Sequence, residues 1–196
     1  MACKPYEQVT TDEQLVVFRG KCSFCVFIKS KPGKYWIKLW VAADEANSFY
    51  ACNMQVYTGK NDGVREKEQG LQVVKNIVCH QYGSRRGVIT DNFFTSYELA
   101  NFLLTKNMTL IGKLRKNKHE ISEIFFNGKP RHAHSFIFAF TNALTLVSYV
   151  PARNKILILL LSGHDDKCMG EGKAQKPEII MHIMPLKVGM TIWTSL

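Results

Sequence analysis

The chain of 196 residues lacks any apolar run long enough to cross a bilayer: "KILILLL" at 155–161 is far short of the ~20 residues a spanning helix requires. Its first ten residues, "MACKPYEQVT", have no apolar core, so no secretory signal is expected. The six cysteines (Cys3, Cys22, Cys25, Cys52, Cys79 and Cys168) are scattered, and reduced thiols in an intracellular compartment are expected. Cys22-Ser-Phe-Cys25 has a spacing that zinc favours. No second CxxC or HxxxH follows at a finger-like distance, which argues against a zinc module. His132-Ala-His134 carries no more weight, since alternate residues of any extended segment face the same way. Repeats and low-complexity tracts are absent.

What is abundant is positive charge. Lys and Arg number 26 against 16 Asp and Glu, giving a net charge of +10 and a pI near 9.4. Polyanions are the natural partners, nucleic acid first and an anionic membrane surface second; the alternative is a merely soluble basic surface. Length and a 46% hydrophobic content suit one packed domain, or a domain with part of a second.

Residues 1–33 are mixed and polar and end at the breaker "KSKPGK". "YWIKLWVAADE" (35–45) predicts a strand with Asp44 at its C-terminal end, and "SFYACNMQVYTG" (48–59) a second strand joined to it as an antiparallel hairpin. In 65–81, Leu71, Val74, Ile77 and Val78 recur at helical spacing. "RGVIT" (86–90) is strand-like and stops at Asp91. "SYELANFLLTK" (96–106) is helical with Ser96 as its cap, and "MTLIGKLR" (108–115) is again a strand. Beyond the basic "KLRKNKH" (113–119), residues 135–150 and 155–162 predict a strand pair or small meander. A polar loop (163–178) and a last strand-like run (179–184) follow.

The order over 35–115 is therefore β-β-α-β-α-β, with carboxylates at two strand ends. In "GVITDNFFTS" (87–96), Asp91 is either a helix cap or a reactive group at the mouth of a sheet. Because sites in open α/β sheets form at strand C-terminal ends, Asp91 is a candidate ligand.

The stretches "DEQLVVFRGKC" (12–22), "KPGKYWIKLWVAADEANSFYACNMQVYTGK" (31–60), "GVITDNFFTSYELANFLL" (87–104), "TLIGKLRKNKHEI" (109–121), "TLVSYVPARNK" (145–155) and "KPEIIM" (176–181) together resemble the piggyBac transposases and the host proteins derived from them. The matches run in family order over nearly the whole chain. The resemblance implies an α/β fold: an incomplete ribonuclease-H-like core over 34–115, after a lead-in over 1–33 that would be a remnant of the DNA-binding and dimerisation region. A β-rich insertion over 116–180 and a tail over 181–196 would follow. It also implies DNA cutting and rejoining at TTAA targets with three aspartates and Mg²⁺ or Mn²⁺, and a nuclear location. On this resemblance the first two aspartates fall on Asp44 and Asp91. Both are then expected to be catalytic metal ligands, because two divalent ions need hard oxygen donors. Lys113, Arg115, Lys116 and Lys118 are the candidate DNA contacts, and a homodimer is left open.

The third aspartate is where the sequence departs from the pattern. The family has Lys-Gly-Gly, an apolar residue and then aspartates, whereas residues 187–196 read "KVGMTIWTSL", and no carboxylate follows Glu178. Asp165 and Asp166 lie upstream, in the polar loop. A family-like "DNLDKL" written GAC AAT TTG GAC AAG CTT becomes Thr-Ile-Trp-Thr-Ser-Leu on loss of its first base, with A or G supplied next. That matches residues 191–196, so a frameshift and truncation are expected. Catalytic inactivity is the matching expectation, since misplacing the attacking oxygen by an ångström alone can cost roughly a hundredfold in rate. Three readings stay open: an active nuclease borrowing a third ligand from another chain, a non-catalytic DNA-binding module, and a remnant without a selected role.

Overall fold

The computed structural model describes residues 8–44, 50–59, 68–116, 118, 121–126 and 131–163. The polar loop with Asp165 and Asp166, the run at 179–184 and the tail 181–196 lie outside them.

The α/β expectation holds. Nine strands form one sheet: β1 (Gln8–Val17), β2 (Val26–Phe27), β3 (Tyr35–Asp44), β4 (Tyr50–Val56), β5 (Gly87–Thr90), β6 (Thr109–Lys113), β7 (Phe136–Phe140), β8 (Leu144–Ala152) and β9 (Lys155–Ser162). Helix α1 (Gln69–Ile77) enters between β4 and β5, and α2 (Tyr97–Thr105) between β5 and β6. The sheet order is β2-β3-β1-β5-β6-β9-β8-β7, with β4 also paired to β3. Only β1–β5 and β5–β6 are parallel. The predicted β3–β4 hairpin is antiparallel as expected, with a register shift at Ala42/Ala43. The meander β7–β8–β9 continues the same sheet through the β6–β9 ladder.

One strand was not anticipated. Residues 8–17, read as part of a polar lead-in, form β1, and β1 lies inside the sheet between β3 and β5. Its polar composition hid it, yet Val9, Thr10 and Thr11 are buried.

Strand alternation separates two faces. Val9, Trp40, Ala42, Val88, Leu110 and Leu160 point to the face covered by the helices, where Leu71, Val74 and Ile77 of α1 and Leu99 and Leu103 of α2 close the main core. Ile89, Ile111, Leu159, Leu161, Val147 and Tyr149 form a smaller cluster on the opposite face, with Phe136 stacked on Tyr149 at 4.6 Å. Helix α2 begins as its sequence dictates: the Ser96 hydroxyl accepts the Leu99 N–H at 3.1 Å, satisfying a first-turn donor.

Candidate functional site

At the turn after β5 the helix cap is Ser96, so the Asp91 carboxylate is not needed for that purpose. The Asp91 main-chain carbonyl instead holds the turn, accepting the N–H of Phe94 (3.1 Å), the N–H of Thr95 (3.2 Å) and the Thr95 hydroxyl (2.9 Å). The Asp91 side chain stands exposed at the strand end.

Close contacts fix this turn against the sheet and helix α1. The Thr90 and Thr95 hydroxyls are hydrogen-bonded at 2.7 Å. Gly112 of β6 admits them, since a Cβ there would come within 2.6 Å of Thr90 Oγ1 and closer still to Thr95 Oγ1. Gly70 of α1 lets the helix approach the same turn, for a Cβ there would lie 2.6 Å from the Phe93 carbonyl oxygen. Trp40, which is 2% exposed, stacks on Phe93 (5.3 Å, 12°) and meets Phe94 edge-on (5.4 Å, 81°). The aromatic pair thus clamps the turn to β3.

The pairing register decides which carboxylate accompanies Asp91. In the parallel β1–β5 ladder, Thr11 pairs with Thr90, so Asp12 is the register neighbour of Asp91 one step further on. Strand alternation assigns Asp12 to the face opposite the helices, and the Asp91 charge reaches it there. The Asp12 carboxyl is pushed up from 3.8 to about 6, mainly by burial and further by the negative charges of Asp91 and Glu13; a main-chain hydrogen bond at Glu13 and the Lys38 ammonium act the other way. Lys38 itself pairs with Glu13 at 2.5 Å and lies 4.0 Å over the Trp40 ring.

Asp44 is elsewhere, which corrects the expectation that it and Asp91 share neighbouring strand ends. Strand β1 separates β3 from β5, and β3 runs antiparallel to β1, with Asp44 opposite Val9. Asp44 is therefore three residues along the sheet and two strands across from Asp91. At ~3.3 Å per residue and ~4.8 Å per strand, that separates their backbones by roughly 14 Å. It also follows Trp40 and Ala42 onto the helix-covered face, and it is 1% exposed. Its strand is antiparallel to β5, so the C-terminal end of β3 lies at the wrong edge of the sheet. Asp12, which opens the family-like stretch at 12–22, is the carboxylate that the register sets beside Asp91 in its place.

The four basic candidates follow β6 or end it, and they take different surroundings. Lys113 ends β6 on the same face, as the register neighbour beyond the Thr90–Gly112 pair. Arg115 lies 5.7 Å from the Phe93 ring and is exposed, as is Lys116. The Glu98 carboxyl is held below its ordinary value by its own main-chain N–H first, then by the Ser96 hydroxyl and the half-buried Lys118, against the opposing effect of burial.

Among the described residues, no cluster of three or more His, Cys, Asp or Glu could hold a metal. Cys22 and Cys25 lie in one turn, the Cys25 N–H donating to the Cys22 carbonyl at 3.4 Å. His134 is committed to the Tyr149 hydroxyl at 2.9 Å. No helix among the described residues is long and apolar enough to cross a membrane.

The family model described as Transposase IS4 matches residues 2–186. A solved structure, the piggyBac transposase synaptic complex with hairpin DNA determined by cryo-EM, superposes with a TM-score of 0.84 at 35% sequence identity. The match covers 96% of this chain and 40% of that one, so the chain spans less than half of its relative's length. The chain belongs to this DDE-type transposase family and is piggyBac-like in both sequence and fold.

Proposed function

We propose that this chain is a DNA-associated transposase domain whose Asp12 and Asp91 hold a divalent cation. The observation that carries the reading is the side-by-side placement of the two carboxylates on one face at the end of the parallel strands. Burial first, and the negative charge of Asp91 after it, raise the Asp12 carboxyl, and a hard cation such as Mg²⁺ or Mn²⁺ would favour its ionised form through oxygen ligands. A cation so held supplies activation of the attacking oxygen and stabilisation of the leaving one in phosphoryl transfer. The protein's own part is positioning. Thr90, Thr95, Gly112 and Trp40 fix the turn that presents Asp91, and the β1 ladder fixes Asp12.

Asp44 takes a structural place in this reading, and Asp12 replaces it as the partner of Asp91 on the strength of the β1–β5 register. The third ligand is not supplied by residues 187–196, which carry no carboxylate, so these 196 residues are expected to bind the cation without completing the reaction. The partner is DNA, reached through Lys113, Arg115, Lys116 and Lys118, with TTAA targets and a nuclear location as the family's implication. A non-catalytic DNA-binding module is the second reading, favoured by the +10 charge.

Calorimetric titration with Mn²⁺ tests the site. Weak binding that is lost in Asp12→Asn and in Asp91→Asn supports it; binding that survives both substitutions rejects it.

A further inference from the structure

A second cationic feature lies on the helix-covered side, away from the carboxylate pair. Lys75 of α1 and Lys106, just after α2, rest on one ring: their ammonium nitrogens are 4.2 and 5.6 Å from the centre of Phe102. Lys106 is also 5.6 Å from the Tyr82 ring, which meets Phe102 edge-on at 5.8 Å. The aromatic pair is tied to both helices, because the Tyr82 hydroxyl donates to the Lys75 carbonyl and the Gly83 N–H to the Lys106 carbonyl, each at 2.8 Å. The two ammonium groups are thereby held within about 10 Å of each other. Neither is ion-paired with a carboxylate among the described residues. Exposed Arg85 lies two residues beyond the Gly83 anchor.

A cation resting on a ring is attracted by the negative face of the ring. It keeps its N–H donors for an outside acceptor, and less side-chain freedom is lost when that acceptor arrives. Two such lysines without a counter-charge suit neighbouring phosphates better than a single carboxylate. We propose that Lys75 and Lys106, with Arg85 beside them, form a phosphate-backbone contact for duplex DNA, separate from the Asp12–Asp91 site. The patch borders the loop that opens β5, whereas Asp91 follows its last residue, a strand length of ~13 Å away. The inference rests on the DNA-associated reading above and adds the surface that carries it.

The test is the salt dependence of binding to a short labelled duplex, measured by fluorescence anisotropy. For every phosphate that is no longer neutralised, the slope of log K against log[salt] falls in magnitude by about 0.9, so Lys75→Gln with Lys106→Gln should flatten it by about 1.8. The charge-retaining pair Lys75→Arg with Lys106→Arg should keep the parent slope, and so should Arg153→Gln with Lys155→Gln, at the exposed β8–β9 turn. An unchanged slope in the glutamine pair overturns the proposal. So does an equal change in the arginine pair or in the turn control, or a loss seen only on anionic vesicles. Mn²⁺ titration of the same variants separates the two readings. Mn²⁺ binding that depends on Asp12, together with an unaltered slope, removes this surface alone, whereas a parent chain that binds no duplex removes both it and the DNA partner.

Discussion

Asp12 and Asp91 are register neighbours on one face of the sheet, because Thr11 pairs with Thr90 in the parallel β1–β5 ladder. Asp44, at the far end of an antiparallel neighbour, faces the other way. The three aspartates should therefore separate in experiment. Asp44→Asn should leave Mn²⁺ affinity within error of the parent while lowering the melting temperature, since Asp44 is buried and engaged within the fold. Asp12→Asn and Asp91→Asn should abolish binding. Retained affinity in Asp12→Asn with loss in Asp44→Asn would reverse the assignment.

The raised Asp12 carboxyl makes a second prediction with a definite sign. Its folded value of about 6 lies above the ordinary 3.8, so the folded state holds this proton more tightly than the unfolded chain. That contribution to stability is fully present below pH 3.8 and is lost as pH rises through 6. Thermal melts at neutral pH should show Asp12→Asn more stable than the parent, with the difference vanishing near pH 4. Saturating Mn²⁺ should raise the parent's melting temperature above pH 6 and leave Asp12→Asn unmoved, as expected when a ligand binds only the folded state. A parent and variant that melt identically from pH 4 to 8 would contradict the crowding of these carboxylates.

Much of this was legible in the sequence, for local reasons. The hairpin β3–β4, the Ser96 cap and helix α2 follow from periodicity and turn chemistry over a few residues. Strand β1 did not, because "QVTTDEQLVV" carries the polar residues of the site it supports and lacks clean alternation. Sheet order is a long-range property. Nothing in residues 35–45 announces that β1 will insert between β3 and β5 and turn the end of β3 away from Asp91. A residue at a strand end becomes a site only once the direction of its strand is known.

The turn that presents Asp91 should be sensitive to a single methyl group. Gly112→Ala places a Cβ against the Thr90 and Thr95 hydroxyls, whose mutual hydrogen bond cannot relax without moving the turn. Overpacking of this kind costs about 1–3 kcal/mol. Denaturant melts should register it, and Mn²⁺ affinity should fall with it although no ligand has changed. A Gly112→Ala chain of parental stability would mean that the turn has room for the added methyl group after all.

DNA binding by the chain should be dominated by charge. With +10 net charge, affinity should drop steeply as salt rises and differ little between TTAA-containing and scrambled duplexes, because phosphate contacts carry no sequence information. Competition at two salt concentrations measures this. A TTAA preference that persists at the higher one would point to base-edge contacts on this surface.

The 196-residue chain should bind Mn²⁺ and DNA yet leave a supercoiled plasmid uncut. In a two-metal displacement the ions sit about 3.5–4 Å apart and must be clamped from more than one side. On the proposed reading Asp12 on β1 and Asp91 just after β5 supply one side, while residues 187–196, where the family resemblance looks for the third aspartate, offer only Lys187, hydroxyls and apolar groups. Two carboxylates can retain an ion without aligning an attacking oxygen, and small misplacements alone cost roughly a hundredfold. Plasmid nicking with Mn²⁺ decides the matter: cleavage by the unaltered chain that disappears in both Asp12→Asn and Asp91→Asn would show that a third ligand is already in place.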